Sequence, residues 1–264
     1  MTHSNHKGLI LAAGRGSRMN SLTENKPKCF VKLAGRRLFD WQLQSLRSGG
    51  IHDISVVTGF HGEKFKSNDY NTIENRDWNN SNMVVSLLRA SAFIDRPTIV
   101  SYSDIVYHPS VVQDLQSKDH DITLVYDKSW LKLWDQRFSD PLQDAESFEI
   151  NKKGQIIEIG KKVQALTDIQ GQYIGLFKLT KNGIDLVYKT VEKYYKRKNT
   201  LDMTALFQLM IKENIKIFGM PIDAHWCEID SRSDLELAEH AIKKANQGQL
   251  FTDDHITPKS LQKH

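Results

Sequence analysis

The sequence predicts an α/β protein built on a parallel sheet, and two observations carry that prediction. Short apolar runs rich in Ile, Val and Leu alternate with amphipathic stretches over residues 9–103, and loops bearing glycine or an acid follow two of the runs, at 14–18 and at 104. Right-handed crossovers bring the C-terminal ends of such strands to one edge, where an open α/β sheet gathers its ligands. Gly14 and Asp104 are therefore expected to be neighbours.

Taken in order, strands are expected at 9–13, 54–58, 72–74 and 98–103, with helical stretches at 38–47 and 83–93 and a further segment around 63–66. Residues 122–126 read as another strand. Residues 129–144 hold tryptophans, charges and a proline without a clean period, and read as a long functional loop or lid. A hairpin is expected from 147–150 and 156–159 around the turn at 151–154, then a strand at 172–179. Helices follow at 182–196 and 203–213, strands at 215–221 and 225–229, and a last helix at 233–246 opened by a capping serine. The whole reads as one domain over 1–250, with a first half at 7–127, a second half at 128–230, the C-terminal helix at 231–246 and a polar tail at 247–264.

A chain of 264 residues can bury a large core without covalent staples. Two cysteines, Cys29 and Cys227, do not make a disulfide scaffold or a zinc cluster, which suits a reducing compartment. No apolar run reaches about 18 residues and no signal-peptide core opens the chain, so a cytoplasmic, membrane-free protein is expected. The net charge of +4 is spread without a Lys/Arg block, which suits an anionic small molecule better than a nucleic acid.

The stretch LILAAGRGSRMNSLTENKPKC, residues 9–29, is the most informative. Gly14, Arg15, Gly16, Ser17 and Arg18 form a loop whose glycines allow close backbone approach, whose N–H groups make an anion-binding concavity, and whose guanidinium groups reinforce it. A P-loop of the form G-x-x-x-x-G-K-[ST] is absent here. A dinucleotide fingerprint fails too, because Met19 replaces its third glycine and the second strand ends in Thr58-Gly59 rather than an acid.

LAAGRGSRM followed by Lys26-Pro27-Lys28 resembles the signature of nucleotidyltransferases of the sugar-phosphate and phosphocholine type. The resemblance implies a doubly wound, mostly parallel, Rossmann-like sheet with a smaller acceptor-binding part, which makes 7–127 the nucleotide-binding half and 128–230 the acceptor-binding half. It implies transfer of NMP from an NTP to a phosphorylated acceptor with release of pyrophosphate. By the same resemblance Arg18 contacts the triphosphate, Lys28 the α-phosphate and the transition state, and the backbone of Leu11, Ala12, Ala13, Gly14, Arg15 and Gly16 cradles base, ribose and phosphates.

NNSNMVVSLLRA (79–90) and CEIDS (227–231) resemble the phosphocholine and aminoethylphosphonate cytidylyltransferase branch, which implies CTP, with Asn82 and Ser86 reading the cytosine edge. Two phosphates do not approach each other without a cation, and Mg²⁺ takes one or two carboxylates plus phosphate oxygens and waters. Asp104 and Asp230 match the family's metal aspartates. The acceptor's phosphate is ionised at neutral pH, its second pKa being about 6, so no general base is required.

For the acceptor, Trp130, Trp134, Arg137, Glu146, Tyr173, Trp226 and Glu228 are the candidates. Aromatics beside carboxylates suit an ammonium group, tryptophans can equally be packing anchors, and Arg137 suits a carboxylate-bearing acceptor. Phosphocholine, aminoethylphosphonate and an amino-acid phosphate such as phosphoglutamine thus stay open. So do a homodimer, a sugar-1-phosphate enzyme using UTP or dTTP, and a catalytically silent regulatory subunit, the last opposed by the presence of Arg18, Lys28, Asp104 and Asp230.

Overall fold

The structure, a computed structural model, describes residues 4–194 and 201–244. The polar tail and the last residues expected of the C-terminal helix lie outside the described residues. In chain order the strands are β1 Lys7–Ala12, β2 Lys32–Leu33, β3 Arg36–Arg37, β4 Ile54–Thr58, β5 Asn71–Glu74, β6 Thr98–Tyr102, β7 Ile105–Tyr107, β8 Ile122–Asp127, β9 Glu146–Ile150, β10 Ile156–Lys162, β11 Gln172–Leu179, β12 Phe218–Ile222 and β13 Trp226–Glu228. The helices are α1 Leu38–Ser48, α2 Met83–Arg89, α3 Pro109–Gln116, α4 Leu131–Arg137, α5 Lys181–Lys193, α6 Met203–Lys212 and α7 Arg232–Lys244.

Seven strands form one sheet in the order β12-β8-β11-β6-β1-β4-β5. Every pairing is parallel except the two made by β11, which runs against both β6 and β8. The rhythm of the first half thus gives its parallel sheet, and the reversed strand comes from the second half, which contributes β11 and β12 to the same sheet. Central β1 and β4 are buried along their whole length, as strands covered on both faces must be, whereas edge strand β5 is polar and mostly exposed.

β11 reverses with a local irregularity. Its register with β8 shifts between Tyr173 and Phe177, and Gly175 adopts φ +82 there. A Cβ on Gly175 would lie 2.6 Å from the Tyr102 ring, so glycine lets β6 and its tyrosine close onto the bulge.

Three short ribbons sit off the sheet: β2 with β3, β9 with β10, and β7 with β13. The β9–β10 hairpin turns where expected, with Gly154 at φ +76 and Asn151 Oδ1 accepting from the backbone N–H of Lys153 and Gln155. β13 does not extend the sheet. It pairs antiparallel with β7, a short strand missing from the sequence reading, as is α3, whose start is set by Pro109 at its first turn and by His108 as cap. Other ends shift by a few residues. α2 stops at Arg89 ahead of a 3₁₀ turn at Ser91–Phe93, the segment near 63 is a 3₁₀ turn at Gly62–Lys64, and α7 begins at Arg232, ahead of the serine expected to cap it.

The main correction concerns 129–144, expected to be an irregular lid. It forms α4 and a 3₁₀ turn at Pro141–Gln143 capped by Asp140. Trp130, Trp134 and Phe138 recur at helical spacing, and Trp130 and Trp134 are each only 4 % exposed. Their rings meet edge to face at 5.7 Å, and Trp134 lies 6.2 Å from Trp226. The tryptophans are packing anchors. No helix among the described residues is long and apolar enough to cross a membrane.

Apart from the large core on the sheet, a smaller cluster joins Met19, Val31, Leu33, Leu38, Trp41, Val106, Cys227, Ile229, Ala238 and Ile242. It binds the loop after β1, the β2–β3 and β7–β13 ribbons and α7 into one block. Truncating a buried tryptophan costs about 3–5 kcal/mol. Trp134→Ala should lower the unfolding free energy by that amount in a urea titration and open 131–143 to protease; an unchanged midpoint with unchanged cleavage would restore the lid.

Candidate active site

β1 ends at Ala12, and the chain leaves the sheet edge through Ala13 and the exposed Gly14 and Arg15. Ala13 accepts a hydrogen bond from the Phe60 N–H at 3.0 Å, fixing the loop against the segment after β4, and Arg15 lies over the Phe60 ring at 5.6 Å. A Cβ on Gly14 would meet nothing within 4 Å, so its backbone faces open space. Gly16 is different. It has φ +67, and a Cβ there would lie 2.6 Å from Lys28 Cβ. Glycine is required twice, for the left-handed backbone and so that the lysine stem can run across it. The 3₁₀ turn Ser17–Thr23 follows, held by Thr23 Oγ1 donating to Gly16 O at 2.8 Å.

Lys28 opens a short 3₁₀ turn after Pro27, and its side chain is buried. Its ammonium donates to Asp104 Oδ2 at 2.8 Å and to Asp230 Oδ1. Burial works against the charged ammonium, but the carboxylates of Asp104 and Asp230 outweigh it and raise the lysine above its ordinary range. Arg18, 74 % exposed, reaches from the loop to the other oxygen of Asp230.

The aspartates meet because of the β7–β13 ribbon. Ile105 pairs with Glu228, and Ile229 N–H donates to Asp104 O at 2.8 Å, so each acid sits just beyond the paired residues at one end of the ribbon. α1 supports this turn from behind: Gln42 Nε2 donates to Tyr102 O at 2.6 Å and to Ile105 O at 2.7 Å, and Ser45 Oγ to Tyr107 O. Asp104 Oδ1 is buried and has no hydrogen-bond partner within the protein. A carboxylate oxygen left in that state is a ready ligand for a hard cation. Among the described residues no group of three His, Cys, Asp or Glu side chains forms a metal cluster. The protein's contribution would thus be two carboxylates, a count that suits Mg²⁺ shared with substrate phosphates.

Behind Asp230, Arg137 contacts Glu228 Oε2 at 2.7 Å and donates from Nε to Asp234 Oδ1 at 2.9 Å. Only 3 % of its side chain is exposed, so it is not free for an acceptor carboxylate. Burial raises Glu228 to about 7, Asp104 and Asp230 adding to the effect and Arg137 opposing it.

The other candidates are also engaged within the protein. Trp226 is pinned by its Nε1 donating to Asp127 Oδ2 at 2.9 Å. Asn82 caps α2, its Oδ1 accepting from Val85 N–H and its Nδ2 donating to Leu201 O at 2.6 Å, while Ser86 donates to Asn82 O and accepts from the buried Asn75. Asn75 also donates its backbone N–H to Thr58 O at 2.8 Å, tying this network to the end of β4. Tyr173 stacks edge to face on Tyr102 at 5.9 Å and on Phe207 at 5.8 Å. Glu146, at the start of β9, is raised by burial, with Asp202 and Asp144 adding to it. Both cysteines are buried with thiols pushed up, Cys227 to about 12, so neither is a nucleophile.

Residues 8–154 match the MobA-like NTP transferase domain, more than half of the chain. The chain belongs to that family. The CTP:phosphoglutamine cytidylyltransferase of Campylobacter jejuni is 38 % identical over 247 residues, 87 % of this chain and 97 % of that protein. A choline-phosphate cytidylyltransferase of Streptococcus pneumoniae is 41 % identical over 59 residues, 22 % of this chain and 26 % of that one. Among solved structures, the CTP:phosphocholine cytidylyltransferase of the same bacterium superposes with a TM-score of 0.70 at 19 % identity, covering 90 % of this chain and 99 % of that one. The inositol-1-phosphate CTP transferase of T. maritima does so at 0.71 and 22 %, covering 90 % and 96 %. These structural likenesses establish the Rossmann-like fold, and this MobA-like NTP transferase is a nucleotidyltransferase.

Forcing a side chain at Gly16 adds strain of about 1–3 kcal/mol and displaces Lys28. Gly16→Ala should therefore lower the melting temperature and depress nucleotidyl transfer at saturating NTP. Wild-type turnover in the folded variant would show that the lysine's seat on Gly16 is unimportant.

Proposed function

We propose that this MobA-like NTP transferase is a Mg²⁺-dependent cytidylyltransferase that moves CMP from CTP to a phosphorylated amino-acid acceptor, phosphoglutamine being the first choice. The observation that carries the chemistry is Lys28 donating to Asp104 and Asp230 beside an open glycine loop. For the substrates, the support is the Campylobacter jejuni relative, which this chain covers over 97 % of its length.

In the reaction an oxygen of the acceptor phosphate forms a bond to the α-phosphorus of CTP, and the bond from that phosphorus to the oxygen leading to the β-phosphate breaks, releasing pyrophosphate. The Gly14–Gly16 backbone holds the triphosphate close, and the exposed Arg18 adds a positive charge to the phosphates. Lys28 stabilises charge that grows at the α-phosphate in the transition state. Asp104 and Asp230 would hold Mg²⁺, which supplies charge neutralisation between the two anions and a template for in-line attack.

Glu146 with Asp202 and Asp144 in the acceptor half suits an acceptor bearing an ammonium or amide N–H, such as an amino-acid phosphate. The burial of Trp130, Trp134 and Trp226 speaks against an aromatic cage for a quaternary ammonium.

Pyrophosphate release from four NTPs against phosphoglutamine, phosphocholine, aminoethylphosphonate and sugar 1-phosphates tests the assignment. CTP with phosphoglutamine should be fastest; preferred turnover of UTP or dTTP with a sugar 1-phosphate would replace it with the sugar-nucleotide reading. In the same assay Lys28→Ala should lower kcat by about 10²–10³, the cost of removing one transition-state donor, with a smaller effect on KM for CTP. Normal kcat at saturating CTP would limit Lys28 to binding.

A further inference from the structure

We propose that Arg137 and Asp234 are positioning residues that hold the Asp230 carboxylate in place for the metal ion, a role that rests on the Mg²⁺ reading above. Asp234 Oδ2 accepts the backbone N–H of Asp230 at 3.0 Å and of Ser231 at 2.8 Å, while Ser231 Oγ accepts the Asp234 N–H at 3.1 Å. The second pair of bonds is a capping box that starts α7. The bond to Asp230 goes beyond what the cap needs, because it fixes the peptide that carries the acid itself.

Arg137 then fixes Asp234. Its guanidinium reaches Asp234 Oδ1 at 2.9 Å on one side and Glu228 Oε2 at 2.7 Å on the other, so one rigid fork grips the chain two residues before and four residues after Asp230. The fork is supported by the Trp134 ring at 5.2 Å and the Phe138 ring at 5.0 Å, both presented with it by α4 and the residue that follows.

A buried ion pair of this kind contributes little net stability compared with apolar packing, because desolvation offsets most of the attraction. Its distinctive product is a fixed geometry. Arg137 cannot touch a substrate through a side chain that is 3 % exposed, so it acts on the reaction through Asp230. Groups that orient metal ligands typically contribute 10–100-fold to metal affinity.

The test uses the full chain with Mn²⁺ as the probe ion and a non-cleavable α,β-methylene analogue of CTP. Mn²⁺ affinity is read by electron paramagnetic resonance, amide exchange is followed at residues 230 and 231, and urea midpoints are measured for wild type, Arg137→Lys, Asp234→Ala, Asp234→Asn and Asp104→Asn. Arg137→Lys keeps the charge but loses the fork, and it should weaken Mn²⁺ at least about 10-fold. Asp234→Ala should do the same and speed exchange at both amides about 10-fold or more, while Asp234→Asn, which retains an acceptor oxygen, should lie closer to wild type. Should Asp234→Ala fail to fold, Arg137→Lys decides. Mn²⁺ lost in Asp104→Asn but held normally by Arg137→Lys and every folded Asp234 variant, with only their urea midpoints lowered, would overturn the positioning role and leave the metal reading standing. No Mn²⁺ binding by the wild type would overturn both.

Discussion

One buried ammonium between two carboxylates is the constraint around which the rest of this site is arranged. Asp104 and Asp230 could not share a water-poor corner as anions without a cation between them, and Lys28 is that cation. Its own burial would favour loss of the proton, and the two carboxylates outweigh that and keep the ammonium charged. The features around it follow from this need. Gly16 is bare so that the lysine stem can cross it, the β7–β13 ribbon exists off the main sheet to bring the two acids level, and from α1 Gln42 holds the turn between β6 and β7 while Ser45 holds the far end of β7.

The sheet explains why the site lies where it does. β1 and β6 are parallel neighbours, so their C-terminal ends deliver the glycine loop and Asp104 to one edge. β11 then runs the other way between β6 and β8, and the second half of the chain is built out from that reversal. The small apolar cluster under the ribbon joins the loop after β1 to α7, so the glycine loop and the Asp230 segment share one foundation.

Much of this was legible in the sequence. The glycine loop, Lys28, Asp104 and Asp230 are marked by short motifs whose chemistry requires those residue types, and the structure brings the lysine and its two acids together. The reversed direction of β11 was not legible, because strand direction is set by which edge the chain returns to rather than by local residues. α4 was hidden by its charges, although Trp130, Trp134 and Phe138 mark one helical face. Asp234 left a readable trace in the Ser231-x-x-Asp234 capping box. Gln42 left almost none beyond being a polar residue on a buried helix face, and the engagement of Arg137 with Glu228 and Asp234 could not be read from positions so far apart in the chain. Asn82 and Ser86 were marked by a motif resemblance alone, and nothing in their residue types foretold the bonds they make to the start of α2, to Asn75 and to Leu201.

Lys28 and Asp230 stand 202 residues apart, and their contact depends on β13 finding β7. During synthesis the sheet strands β1, β4 and β6 can collapse early, but the lysine then has only Asp104 for company, and the small apolar cluster lacks Cys227 and Ile229. β13 and Asp230 must therefore leave the ribosome before Lys28 can bridge its two acids. A chain shortened before Ile229 thus lacks both the second carboxylate on Lys28 and the backbone bond from Ile229 to Asp104.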